Sequence, residues 1–75
     1  MVEGILCYKA SLGLAEVKKE WTRIGLGKFT PECRLQGVVL FHATKEDIIL
    51  CQKKIRDGET DLFTTVGLNR KVHMA

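Results

Sequence analysis

Leu14, Val17, Trp21 and Ile24 recur at i, i+3, i+7 and i+10. That spacing sets all four on one stripe of a helix. The stripe constrains the fold more than any other feature, because the segments on either side are patterned as strands. One helix of about four turns covers one face of a sheet and leaves the other to be dealt with. Ser11 stands before the stripe as an N-cap candidate, and Gly25 follows it as a stop. Glu16, Lys18, Lys19, Glu20 and Arg23 take the remaining surface. Two pairs of opposite sign, Glu16 with Lys19 and Glu20 with Arg23, add roughly a few tenths of a kcal/mol each.

Val2 to Ala10 reads as a strand. Its continuous apolar run, Ile5-Leu6-Cys7-Tyr8, suggests cover on both faces. Gly25-Leu26-Gly27-Lys28 is a loop, and Pro31 keeps a regular central strand from starting before it. From Cys33 to Ala43 the chain is strand-like again, with β-branched and aromatic bias in Val38-Val39-Leu40-Phe41.

Thr44 to Arg56 supports two readings. As a helix it has good punctuation. Thr44-x-x-Asp47 has capping-box spacing, acids lie at the start, Lys53, Lys54 and Arg56 lie at the end, and Gly58 follows. The helical wheel is poor, however: Ile48, Cys51 and Ile55 share a face, while Ile49 and Leu50 point away from it. As a strand, the segment runs into Asp57-Gly58, the dipeptide of a two-residue hairpin turn. Pairing outward from that turn sets Arg56 opposite Glu59, Lys54 opposite Asp61 and Ile49 opposite Val66, a register with two opposite-charge pairs. The hairpin is preferred. Leu62 to Val66 is then the next strand, Gly67-Leu68-Asn69 a turn, and Arg70 to Met74 a short fifth strand at an edge.

The expected fold is α+β, an antiparallel-rich sheet in the order β-α-β-β-β with one packed helix. The alternative order is β-α-β-α-β. With 75 residues, the chain forms a single globular domain spanning 1–75. A hydrophobic share of 45% and a charged share of 28% exclude disorder and fibrous folds, and no apolar stretch is long enough for a membrane span.

In the preferred register both sheet faces are apolar at the centre. One carries Val38, Leu40, Ile49, Cys51, Ile55, Leu62 and Val66; the other carries Val39, Phe41, Ile48, Leu50 and Phe63. Large exposed apolar patches are rare on soluble monomers. The second face is therefore expected to meet another chain, most simply a second copy in a two-fold dimer. Val39, Phe41, Ile48, Leu50 and Phe63 are the expected self-association residues.

Chemistry is thinly signalled. Cys7, Cys33 and Cys51 are odd in number and sit among apolar residues, which suits reduced core thiols in a cytoplasmic setting rather than a disulfide framework. The N-terminal apolar run is too short for a signal peptide. Cys7, Cys33, Cys51, His42 and His73 are zinc-type residues, yet the closest two cysteines lie 18 positions apart, so no metal site and no cofactor is expected. Gly25-Leu26-Gly27-Lys28 departs from a phosphate loop, because it follows a helix and lacks the adjoining Ser/Thr. No cluster suggests an enzyme.

The leading expectation is a non-enzymatic protein-binding or assembly module that self-associates through a sheet face, with strand addition at an edge as the route to a protein partner. The alternative is a small nucleic-acid-binding domain, for RNA or single strands. It would use Lys53, Lys54, Arg56, Arg70 and Lys71 with Phe63 as the stacking ring. The net charge of +3 lends this little weight, since acids interleave with bases throughout.

Overall fold

The computed structural model describes residues 1–69. Six elements follow in the order β1 (Val2–Tyr8), α1 (Leu14–Arg23), β2 (Thr30–Leu35), β3 (Val38–Ala43), α2 (Lys45–Arg56) and β4 (Phe63–Leu68). The four strands make one sheet in the order β2-β3-β1-β4, and every neighbouring pair is antiparallel. The α+β class is as expected. The β-α-β-β-α-β order, with β1 placed between β3 and β4, is the split β-α-β arrangement of ferredoxin-like folds.

Thr44 to Arg56, preferred as a strand, instead holds the helix of the alternative reading, α2, and the β-α-β-β-β order is corrected accordingly. Thr44 Oγ1 accepts the Asp47 amide at 3.1 Å and caps α2. At the other end, the Gly58 amide donates to the Ile55 carbonyl and the Glu59 amide to the Lys54 carbonyl. That pair of bonds is a Schellman closure, with Gly58 at φ +76°. A type I′ hairpin turn would also need positive φ at Asp57, which sits at −80°. Lys54 pairs with Glu59 across the helix end at 3.2 Å, not with Asp61 across two strands.

Three smaller expectations also shift. The strand foreseen over Cys33 to Ala43 is two strands turned at Gln36-Gly37, with Gly37 at φ +80°. β2 begins at Thr30 and holds Pro31, which an edge strand tolerates. Helix α1 is capped at Gly13 rather than Ser11, and the Glu16 carboxylate accepts the Gly13 amide. The fifth strand expected at Arg70 to Met74 lies outside the described residues.

Both helices cover the same face of the sheet. Val17 and Trp21 from α1 and Ile48 and Cys51 from α2 meet Leu6, Val39 and Phe41 from the central strands, all at most 1% exposed. Trp21, Phe29 and Phe41 form an aromatic triangle with centroids 4.8–5.2 Å apart, and the indole Nε1 donates to the Gly27 carbonyl at 3.1 Å. The alternating burial of β1 and β3 sends every second residue to the opposite face.

Candidate functional site

No helix among the described residues lies on that opposite face. Strand register arranges it in three rows. The first is Thr65, Cys7, Val38 and Leu35; the second is Gly67, Ile5, Leu40 and Cys33; the third begins with Glu3, His42 and Thr30. Its middle is aliphatic and only partly buried, and Leu35 at the β2 edge is 71% exposed. β1 is thus a central strand covered on one face, not on two as its apolar run suggested.

The residues expected on an outer apolar face are elsewhere. Val39 and Phe41 point into the core at 0% exposed, Ile48 faces the sheet from α2, and Phe63 is buried on β4. Leu50 alone is exposed, on the outer side of α2. The face is real but its membership is shifted by one residue along β3. Val38 and Leu40 face outward because both helices pack on the Val39 and Phe41 side.

Of the expected nucleic-acid residues, Lys53, Lys54 and Arg56 lie in the last turn of α2. Phe63 is 4% exposed and offers no stacking surface. Lys53 is exposed, and Lys54 is engaged with Glu59. Arg56 borders a groove of about 210 Å³ between α2 and β4, lined also by Gln52, Ile55, Thr64, Thr65 and Val66. Gln52 Nε2 crosses that groove to the Val66 carbonyl at 3.0 Å, occupying part of the β4 edge. Arg70 and Lys71 lie outside the described residues. Tyr8, Trp21, Phe41 and Phe63 are buried and Phe29 is packed against the core, so each of these rings is on the helix side or within the core. The open face has the His42 imidazole but no phenylalanine, tyrosine or tryptophan.

At one end of the open face, three strands bring polar groups together. His42 on β3 lies between Glu3 on β1 and Glu32 on β2. Its Nε2 is 3.9 Å from Glu3 Oε2, and its Nδ1 is 3.5 Å from Glu32 Oε2. Glu3 is the direct cross-strand partner of His42. Glu32 reaches the same place because the β2–β3 register slips between Pro31 and Cys33. The Asn69 amide donates to the Glu3 carbonyl at 2.9 Å, and its side-chain Nδ2 donates to Glu3 Oε1, leaving Oε2 turned toward His42. Among the described residues this is the group whose ligand atoms, one from each side chain, all lie within 4.8 Å of one another. Sequence reasoning missed it because its members are 10 to 39 positions apart and no local spacing announces them. The available signal was the pairing of Glu3 with His42, visible only once β1 and β3 are neighbours.

The thiols separate by depth. Cys51 is buried in the core, and burial pushes its thiol up to about 12, which removes it as a nucleophile at neutral pH. Cys7 is half-buried and Cys33 is exposed, both on the open face; the expectation of three buried thiols holds for Cys51 alone. No helix among the described residues is long and apolar enough to cross a membrane. No family model, curated protein or solved structure compared with the chain matches it.

Proposed function

We propose that this chain is a non-enzymatic assembly module whose open sheet face packs against the same face of a second copy. The observation that carries the reading is an apolar face, built from Ile5, Cys7, Val38, Leu40, Cys33 and Leu35, that no helix among the described residues covers, on a sheet whose two helices pack against the other face. A second copy is the occupant for two reasons. A flat sheet face is complementary to itself, since two sheets stack about 10 Å apart with interdigitated side chains. The charges also favour a two-fold pairing. Glu3 and Glu32 stand at one end of the face, and Lys9 follows β1 at the other. Apposition with antiparallel strands lays the acidic end of each copy toward the Lys9 end of its partner.

Four strands about 4.8 Å apart and six residues long present roughly 400 Å² of flat area. Two such faces bury less than the 1,200–2,000 Å² of a stable complex, so the pair forms weakly and depends on concentration. The same face presents no phenylalanine, tyrosine or tryptophan ring for stacking on unpaired bases, which favours assembly over nucleic-acid binding. Three free thiols go with a reducing, intracellular setting for such a module.

Sedimentation equilibrium across a wide concentration range tests this. The expected result is a monomer–dimer equilibrium that Leu35→Glu and Leu40→Glu each abolish while the far-ultraviolet circular dichroism is unchanged. A single 8.4 kDa species throughout, or a dimer indifferent to both substitutions, overturns the reading.

A further inference from the structure

The geometry points to a divalent transition-metal site formed by Glu3, Glu32 and His42 at the acidic end of the open face. The donor set is one imidazole nitrogen and two carboxylate oxygens, a mixture that suits borderline cations, zinc foremost, better than magnesium or calcium. The three side chains come from three neighbouring strands and face one another. In a tetrahedral zinc site with bonds near 2.1 Å, ligand atoms stand roughly 3.4 Å apart. One donor atom from each side chain already lies within 4.8 Å of the others; Glu3 Oε2 stands 3.9 Å from His42 Nε2 and Glu32 Oε2 stands 3.5 Å from His42 Nδ1. Bringing both carboxylates to an ion on one nitrogen takes side-chain rotation. Glu32 is half exposed and free to make it, while the strands beneath stay paired.

Two features of the surroundings help. Asn69 anchors Glu3 through both its main chain and its side chain, which aims the second carboxylate oxygen at His42. A ligand carboxylate held in this way is the usual outer-shell arrangement of a metal site. The ligands also come from β1, β3 and β2 in turn, so a bound ion would clip the exposed edge strand β2 to the centre of the sheet. Three protein ligands leave at least one coordination position for water or for a carboxylate from outside the chain. This proposal does not depend on self-association, since all three ligands belong to one copy.

The test uses the full chain and zinc chloride, followed by isothermal titration, with cobalt(II) as a spectroscopic substitute. The expected result is saturable binding of one ion per chain. His42→Ala and Glu32→Gln each lower the affinity at least tenfold, and Asn69→Ala, which alters only the support of Glu3, lowers it about 10- to 100-fold. Glu32 is exposed, so its variant folds even if a change at His42 does not. Cys33→Ser, Cys7→Ser and His73→Ala are expected to bind like the parent. Paramagnetic broadening by manganese(II) should reach the His42 ring and the Glu3 and Glu32 side chains first. Absence of saturable binding overturns the proposal, as does binding that survives Glu32→Gln and His42→Ala or is lost with a cysteine or His73.

Discussion

Gly4 shows how one position can settle the packing of a small core. It lies on the helix-facing side of β1, opposite Phe41 on β3. A Cβ there would stand 2.7 Å from Phe41 Cζ and 3.0 Å from Ile48 Cδ1. Phe41 cannot swing away, because Trp21 and Phe29 hold it from two sides. Gly4→Ala is therefore expected to cost about 1–3 kcal/mol through overpacking, measured as a shift in the urea midpoint with little change in slope. An unchanged midpoint would mean that the ring can move. In the sequence, Gly4 is an unremarkable residue before an apolar run. Nothing local tells that an aromatic ring from 37 residues away fills the space over it.

At the scale of elements, α1 was legible and α2 was not, for one physical reason. The α1 stripe buries Val17, Trp21 and Ile24 as its periodicity requires, and the helix closes with Gly25 at φ +89°. Helix α2 has a narrower buried face of Ile48 and Cys51, with Ile55 packed beside them. Its Ile49 is 53% exposed and its Leu50 is 37% exposed. Reading those two aliphatics as residues that must be buried favours a strand. Single exposed aliphatics are ordinary, however, and the capping chemistry at both ends outweighed them. Gly58 provides the check. Its positive φ serves the helix closure, so Gly58→Ala should destabilise the fold by about 1 kcal/mol. For a domain of this size that lowers the melting temperature by roughly 4–8 °C. Gly58→Asn should cost less, since asparagine tolerates the left-handed region. Equal stability of all three forms would argue against the closure.

Across the whole molecule, Glu20 links parts of the chain that sequence keeps apart. It is 6% exposed on α1. It accepts two bonds from Arg23, at 2.6 Å and 2.7 Å, and one from the Thr60 hydroxyl at 2.5 Å. Arg23 in turn donates to the Glu59 carbonyl at 3.0 Å, so the segment before β4 is tied to α1. The Arg23 hydrogen bonds, aided by Thr60, hold the Glu20 carboxyl below its usual range despite the opposing effect of burial. A carboxyl lowered on folding stabilises the protein above its unfolded value of about 4.3, and that contribution disappears as pH falls through the folded value. Stability to urea should thus hold from neutral pH to about pH 5 and decline below it. Glu20→Gln should cost about 1–3 kcal/mol at neutral pH and flatten the acid slope; an unaltered slope would assign the acid sensitivity to other groups. The i,i+3 pair with Arg23 was readable from spacing, but the Thr60 contact was not, because it spans 40 residues. The same division holds throughout this protein. Sequence alone determined the α+β class, the α1 stripe and the strand that opens the chain, because each follows from local periodicity or composition. Only tertiary structure decided that 45–56 is helical, that β1 lies between β3 and β4, and that Val38 and Leu40 rather than Val39 and Phe41 face outward. It alone gathered Glu3, Glu32 and His42 at one end of that face. These outcomes depend on strand register, where a step of one residue exchanges the two faces of the sheet, and register is set by contacts between segments that no local pattern encodes.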